Sequence, residues 1–171
     1  MGVPAADHVS VIRLATVEDV ESIHRMVVAI AAATGGAGKV RSSAADLAEH
    51  GFGLQPAFTA LLAEIDGLPC GLSLFFPSFS TWRGRIGVYI QDFYVGPEVR
   101  GHGVADALLA ATAAHAAANG GTYVRLSVAA DNHRAQRFYA RAGMVHSDDE
   151  HIYVLDGAAF ATAASRAAKA L

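Results

Sequence analysis

A glycine-bearing turn set between a strand and a long helix constrains this chain more than any other feature. Tyr89-Ile90-Gln91-Asp92-Phe93-Tyr94-Val95 is rich in aromatic and β-branched residues and reads as a strand. Val99-Arg100-Gly101-His102-Gly103-Val104-Ala105 follows, opening an Ala/Leu run from Gly103 that stops at Asn119-Gly120-Gly121. A further β-type run, Tyr123 to Val128, and a helical one, Asn132 to Ala142, complete the unit, with Gly143 ending it. The first four N–H groups of a helix have no internal partner, and the helix dipole adds partial positive charge there. Gly101 and Gly103 allow an anion close to that backbone, and Arg100 adds formal charge. The turn therefore suits a pyrophosphate. A Rossmann dinucleotide site would share Gly101-x-Gly103, but its third small position falls at Asp106, too large for close helix–strand packing.

The remaining elements follow from period and punctuation. Val9 to Leu14 is a short β-type run, and Thr16 with Asp19 resembles a capping box ahead of a helix carrying Val20, Ile23, His24, Val27 and Ile30. That helix fails at Gly35-Gly36; Ser42 or Ser43 caps a second, shorter one through Leu47, ending at Gly51. Phe58 to Glu64 and Cys70 to Pro77 flank Asp66-Gly67, a hairpin signal, and Ile86 to Val95 is the next strand. Met144 to His146 and His151 to Leu155 read as two closing strands, and Ala158 to Lys169 as a terminal helix. The order β-α-α-β-β-β-α-β-α-β-β predicts a mixed α/β fold with a mostly antiparallel central sheet. Residues 1–171 form one expected domain, its core at about 9–157.

Charge and composition exclude several classes. The net charge is −3 with no basic run, so a nucleic-acid partner is not expected. No apolar run reaches membrane-spanning length and the N-terminus lacks signal-peptide character, which predicts a soluble cytoplasmic protein with no membrane partner. Cys70 is the single cysteine and reads as a small apolar residue at a strand start; the histidines show no metal-ligand spacing, so no metal is expected.

The assembled residues resemble the GNAT superfamily of acetyl-CoA-dependent N-acetyltransferases. Its motif of Arg or Gln, two residues, Gly, one residue, then Gly or Ala is met by Arg100, Gly103 and Ala105, and the match extends through Asn132 and Arg137 to Gly143. His50 to Gly53, Ser80-Thr81-Trp82 and Gly87 to Val95 look like the diamine (spermidine/spermine) N-acetyltransferases. The resemblance implies acetyl-CoA as co-substrate, a small-molecule amine as acceptor and a homodimer. It implies backbone groups of Phe93, Tyr94 and Val95 on the pantetheine arm. Gly101, His102, Gly103, Val104, Ala105 and Asp106 would surround the pyrophosphate, with Arg100 beside them, Asn132 to Ala135 along the cofactor and Tyr139 next to the sulfur.

In that reaction an amine attacks the thioester carbonyl and a thiolate leaves. Tyr139 is the candidate to protonate it, and backbone donors of Phe93 to Val95 would stabilise the oxyanion. An alkylamine of pKa about 10.4 costs about 4–5 kcal/mol to deprotonate at pH 7. The branch is expected to carry a glutamate base where this chain has Gln91, and an acidic group where it has Thr34. Asp92 is adjacent to Gln91 but faces the opposite way in a regular strand. These two departures point to a smaller or less basic acceptor, such as an amino acid or lysine analogue, over a polyamine; a non-catalytic acyl-CoA-binding domain is the rival. Asp148-Asp149-Glu150 with His151 reads as a solvated turn first, and as a lining of the acceptor pocket second.

Overall fold

The computed structural model describes residues 11–147 and 151–167. Two compact units meet in sequence between Ala135 and Gln136.

In the larger unit, β1 (Val11–Leu14), β2 (Thr59–Ile65), β3 (Leu68–Ser80), β4 (Arg85–Val95) and β5 (Val124–Leu126) form one sheet in that order. The first four strands run antiparallel, and β5 lies parallel to β4. Asp66 and Gly67 both take positive φ, 52° and 74°, as the tight β2–β3 hairpin requires. A parallel neighbour needs a crossover, and α3 (Val104–Ala118) supplies it between β4 and β5.

Two apolar clusters sandwich the sheet. On one side α3 buries Val104, Leu108, Thr112 and Ala116, one stripe at four-residue spacing, and Val104, Leu108 and Ala116 pack with Leu61, Ala63, Phe75, Val88 and Ile90. On the other, α1 (Val20–Ala33) and α2 (Ala44–Phe52) bring Ile23, Met26 and Leu47 onto Ala60, Leu62, Leu72 and Leu74. Ser43 caps α2 reciprocally with Asp46. Arg13 of β1 forks onto Asp19, with Nη1–Oδ2 at 2.7 Å and Nη2–Oδ1 at 2.8 Å, and reaches Glu64 of β2 at 2.6 Å. That fork holds the Asp19 carboxyl down at about 2.

In the smaller unit the expected closing strands do not form among the described residues. Residues 144–147 and 151–156 have no regular structure, and Val145, Ile152, Tyr153 and Val154 are each more than 70% exposed. A β-type run gains little without a neighbouring edge for its N–H and C=O groups and a surface for its side chains. The terminal helix does form, as α5 (Gly157–Ala167), leaving the final residues of the expected Ala158–Lys169 outside the described chain.

Candidate active site

The alternation of β4 reverses at Gln91. Val88 and Ile90 belong to the α3-side cluster, and Ile90 lies across from Phe75 of the same cluster. Asp92 lies across from Leu74, and Tyr94 across from Leu72, both in the α1-side cluster. Two β4 residues therefore occupy the step from Phe75 to Leu74, and Gln91 is the extra one: a β-bulge. Counting forward from Ile90 puts Gln91 on the α1 side; counting back from Tyr94 puts Asp92 there as well. The expectation that Asp92 faces away from Gln91 holds only for a regular strand and is overturned here. Gln91 is exposed, while Asp92 is partly buried and that burial raises its carboxyl above the ordinary carboxylate value.

The same stretch marks the end of the β4–β5 pairing. β5 pairs with β4 only from Val88 to Ile90, so Gln91–Val95 runs on beyond the end of β5. Phe93 and Val95 turn toward the α3-side cluster, and Tyr94 toward α1. This end of β4 leads through a 3-10 turn, Pro97–Val99, into the glycine turn.

Gly101 and Gly103 take φ of 85° and 78°, a region in which L side chains are strained, and a Cβ on either would meet nothing within 4 Å. The glycines are thus required by conformation, and the space beside them is open. Gly103 is the N-cap of α3 with no side chain satisfying the first-turn N–H groups, so Val104, Ala105 and Asp106 present them outward. Arg100 donates from Nε to the Val95 carbonyl at 3.1 Å, folding its side chain back along the end of β4. His102 and Asp106 are exposed; Asp106 places an acidic side chain in the first turn of α3.

Asn132 precedes α4 (His133–Arg141) and accepts a hydrogen bond from the Ala135 N–H at 3.1 Å, an N-cap role that its position alone did not reveal. A pocket of about 230 Å³ lies between Asn132 and Asp131 on one side and Ala33, Thr34 and Gly35 at the end of α1 on the other. The Thr34 hydroxyl donates back to the Ile30 carbonyl at 2.9 Å. Asp131 is the acidic group in this pocket, and sequence reasoning missed it because it sits between elements, where periodicity is silent.

In the smaller unit, Tyr139 lies on α4 and its ring meets Phe138 edge to face at 5.1 Å. Burial pushes its hydroxyl up to about 12. His151 is exposed, and Asp148 to Glu150 fall outside the described residues. Cys70 is buried and donates to the Ala63 carbonyl at 3.4 Å, and burial raises its thiol. Among the described residues no group of His, Cys, Asp and Glu could hold a metal ion, and no helix is long and apolar enough to cross a membrane.

The model of the acetyltransferase (GNAT) family matches residues 25–144. A thialysine N-epsilon-acetyltransferase of Bos taurus is 33% identical over 71% of this chain and 77% of its own length. A spermidine/spermine N(1)-acetyltransferase-like protein 1 of Homo sapiens is 30% identical over 57% of this chain and 15% of its own. Among solved structures, an integron cassette protein from the mobile metagenome of V. cholerae superposes with a TM-score of 0.74 at 17% identity. It covers 91% of this chain and 97% of that protein, a likeness of fold.

Proposed function

The chain belongs to the acetyltransferase (GNAT) family, its curated relatives lying in the diamine-acetyltransferase-like branch, and from that premise we propose that it acetylates the primary amine of a small lysine-like molecule. The observation that carries the reading is one continuous surface. β4 runs on past the end of β5 after Ile90 and leads into an α3 N-terminus whose turn glycines leave open space. Backbone groups of Phe93, Tyr94 and Val95 fit an extended amide-bearing arm such as pantetheine. The N–H groups of Val104 to Asp106, reached past Gly101, His102 and Gly103, fit its pyrophosphate. Arg100 adds positive charge near that end.

Acetyl-CoA brings an activated acetyl group; the protein's task is to hold it and manage protons. Tyr139 is the proton donor to sulfur in this reading. At a pKa of about 12 it stays protonated through the working range, yet it lies roughly 3.5 units above an ordinary thiol, about 5 kcal/mol uphill. A thiolate held in equally dry surroundings becomes more basic by the same cause, which narrows the gap.

A lysine-like acceptor follows from the acidic groups. Gln91 and Thr34 leave two expected carboxylates absent, and Asp131 is the acidic residue in the pocket beside Thr34. A polyamine would call for more, because each distal ammonium needs a partner once desolvated. The bovine relative is named for acetylating the ε-amine of thialysine, a lysine analogue. We extend to this chain the branch's cytoplasmic homodimer, acting as one catalytic domain without nucleic acid or membrane.

Thiol release from acetyl-CoA, followed across lysine analogues, amino acids, diamines and aminoglycosides, tests the reading. Acceleration by lysine analogues above the rest supports it. Tight acetyl-CoA binding with no amine accelerating release would make the chain a non-catalytic acyl-CoA-binding domain.

A further inference from the structure

We propose that Asp92 is the general base of this enzyme, turned by the Gln91 bulge onto the face of the sheet where the amine is received. The inference rests on the amine-acetyltransferase reading above and supplies the carboxylate that position 91 lacks.

Three observations converge on Asp92. The register places it across from Leu74, on the α1 side, next to Gln91 and not behind it. Its position is also the second beyond the last β4–β5 pair, Ile90↔Leu126, where β5 has ended. Finally, no hydrogen bond or ion pair joins its carboxyl to another described residue, whereas the buried Asp19 and the partly buried Glu64 are both held by Arg13. Among the described residues no fully buried side-chain oxygen lacks a partner, so the Asp92 carboxyl keeps a path to solvent. A partly buried, unpartnered and reachable carboxylate costs stability unless a cation or water arrives to meet it.

The surroundings fit a base. α1, which packs across β4, carries Glu21, His24 and Arg25; β3 opposite presents Leu72, Leu74 and Phe76 on this face; β5 carries Arg125, and β4 itself Tyr89 and Tyr94. His24 is engaged with the Ser42 carbonyl at 2.7 Å. None of these charges shifts Asp92, whose raised value comes from burial alone.

The Asp92 carboxylate takes one proton from the ammonium, directly or through one water, and the freed nitrogen attacks the thioester carbonyl carbon. The tetrahedral adduct collapses, the C–S bond breaks with its electron pair on sulfur, and Tyr139 protonates that sulfur. The acylated nitrogen loses its remaining extra proton to water, Tyr139 is reprotonated by water, and Asp92 releases its own proton to solvent.

Asp92→Asn tests the assignment in the full chain, with wild-type turnover on the amine panel as reference. The expected result is a fall in kcat/KM of about 100-fold or more. The acid limb of the pH–rate profile should vanish, acetyl-CoA affinity by calorimetry should not change, and Tm should stay equal or rise. Asp92→Glu should recover part of the rate. Retention of the rate within about threefold, with the acid limb intact, overturns the proposal. So does a fall accompanied by lost acetyl-CoA binding or lowered Tm, which marks a structural role. A wild-type protein that binds acetyl-CoA but is inert toward every amine overturns the enzymatic reading, and this base with it; wild type and variant are then alike.

Discussion

Asp92 lies directly across β3–β4 from Leu74, although Ile90, two residues earlier on the same strand, lies across from Phe75 in the opposite cluster. One inserted residue, Gln91, produces that reversal. Deleting Gln91 closes the bulge with both registers kept: Ile90 stays across from Phe75 and Asp92 across from Leu74, so Asp92 remains on the α1 side and Phe93 and Val95 on the other. The loss in urea denaturation is expected to stay within about 1–2 kcal/mol. A loss of several kcal/mol would show that Gln91 is not the extra residue and that its removal exchanges the two faces.

Stability should also respond to acid through Asp19. Its folded value of about 2, set chiefly by the Arg13 hydrogen bonds, lies below the unfolded value near 3.8. Because the folded value is the lower one, the contribution is complete above the unfolded value and is lost as pH falls, from about 5 through 2. The Tm of Asp19→Asn should change less than that of the parent across this window. Parallel Tm curves would assign the acid loss to other carboxylates.

Ser73 and Thr112 hydrogen-bond at 2.8 Å inside the protein, and Thr112 donates onward to the Leu108 carbonyl at 2.8 Å. Removing the two hydroxyls has unequal costs. Thr112→Val strands a buried Ser73 hydroxyl, at about 1–3 kcal/mol, whereas Ser73→Ala leaves Thr112 still bonded and should cost about 0.5–1.5 kcal/mol. Chemical denaturation of both variants, and of the pair, checks the order; a reversed order would mean that Thr112 is not the anchored partner.

At the glycine turn, Gly103→Ala adds no clash but strains a φ of 78°. The expected cost is about 1–2 kcal/mol in stability, with acetyl-CoA affinity about tenfold weaker. Binding of acetyl-pantetheine, which lacks the pyrophosphate, should not change. Equal weakening of both ligands would place the pyrophosphate elsewhere.

Tyr139→Phe removes one hydroxyl from a half-buried ring. The expected outcome is a kcat about 100-fold lower at unchanged acetyl-CoA affinity. Because its hydroxyl titrates near 12, the parent profile should show no basic limb from this group below about pH 10. Undiminished turnover in the variant would leave sulfur protonation to water.

Local chemistry makes much of this protein legible in its sequence. Positive-φ glycines, caps and periodicity locate the Asp66-Gly67 hairpin, the Ser43 cap, α3 and the glycine turn, because each depends on a few neighbouring residues. Arg100 to Asp106 are recognisable for the same reason. The expected closing strands show the limit of such patterns: Ile152 to Leu155 have the right residue types, but residue type cannot provide a partner edge.

The sequence by itself determined the family, the three-layer ingredients and the glycine turn ahead of α3, since all are written in short-range pattern. Only the tertiary structure decided which way Asp92 points and that Asp131 shares a pocket with Thr34. Those depend on pairing between strands and packing between layers. A single-residue bulge leaves composition and propensity untouched while exchanging the two faces of everything beyond it.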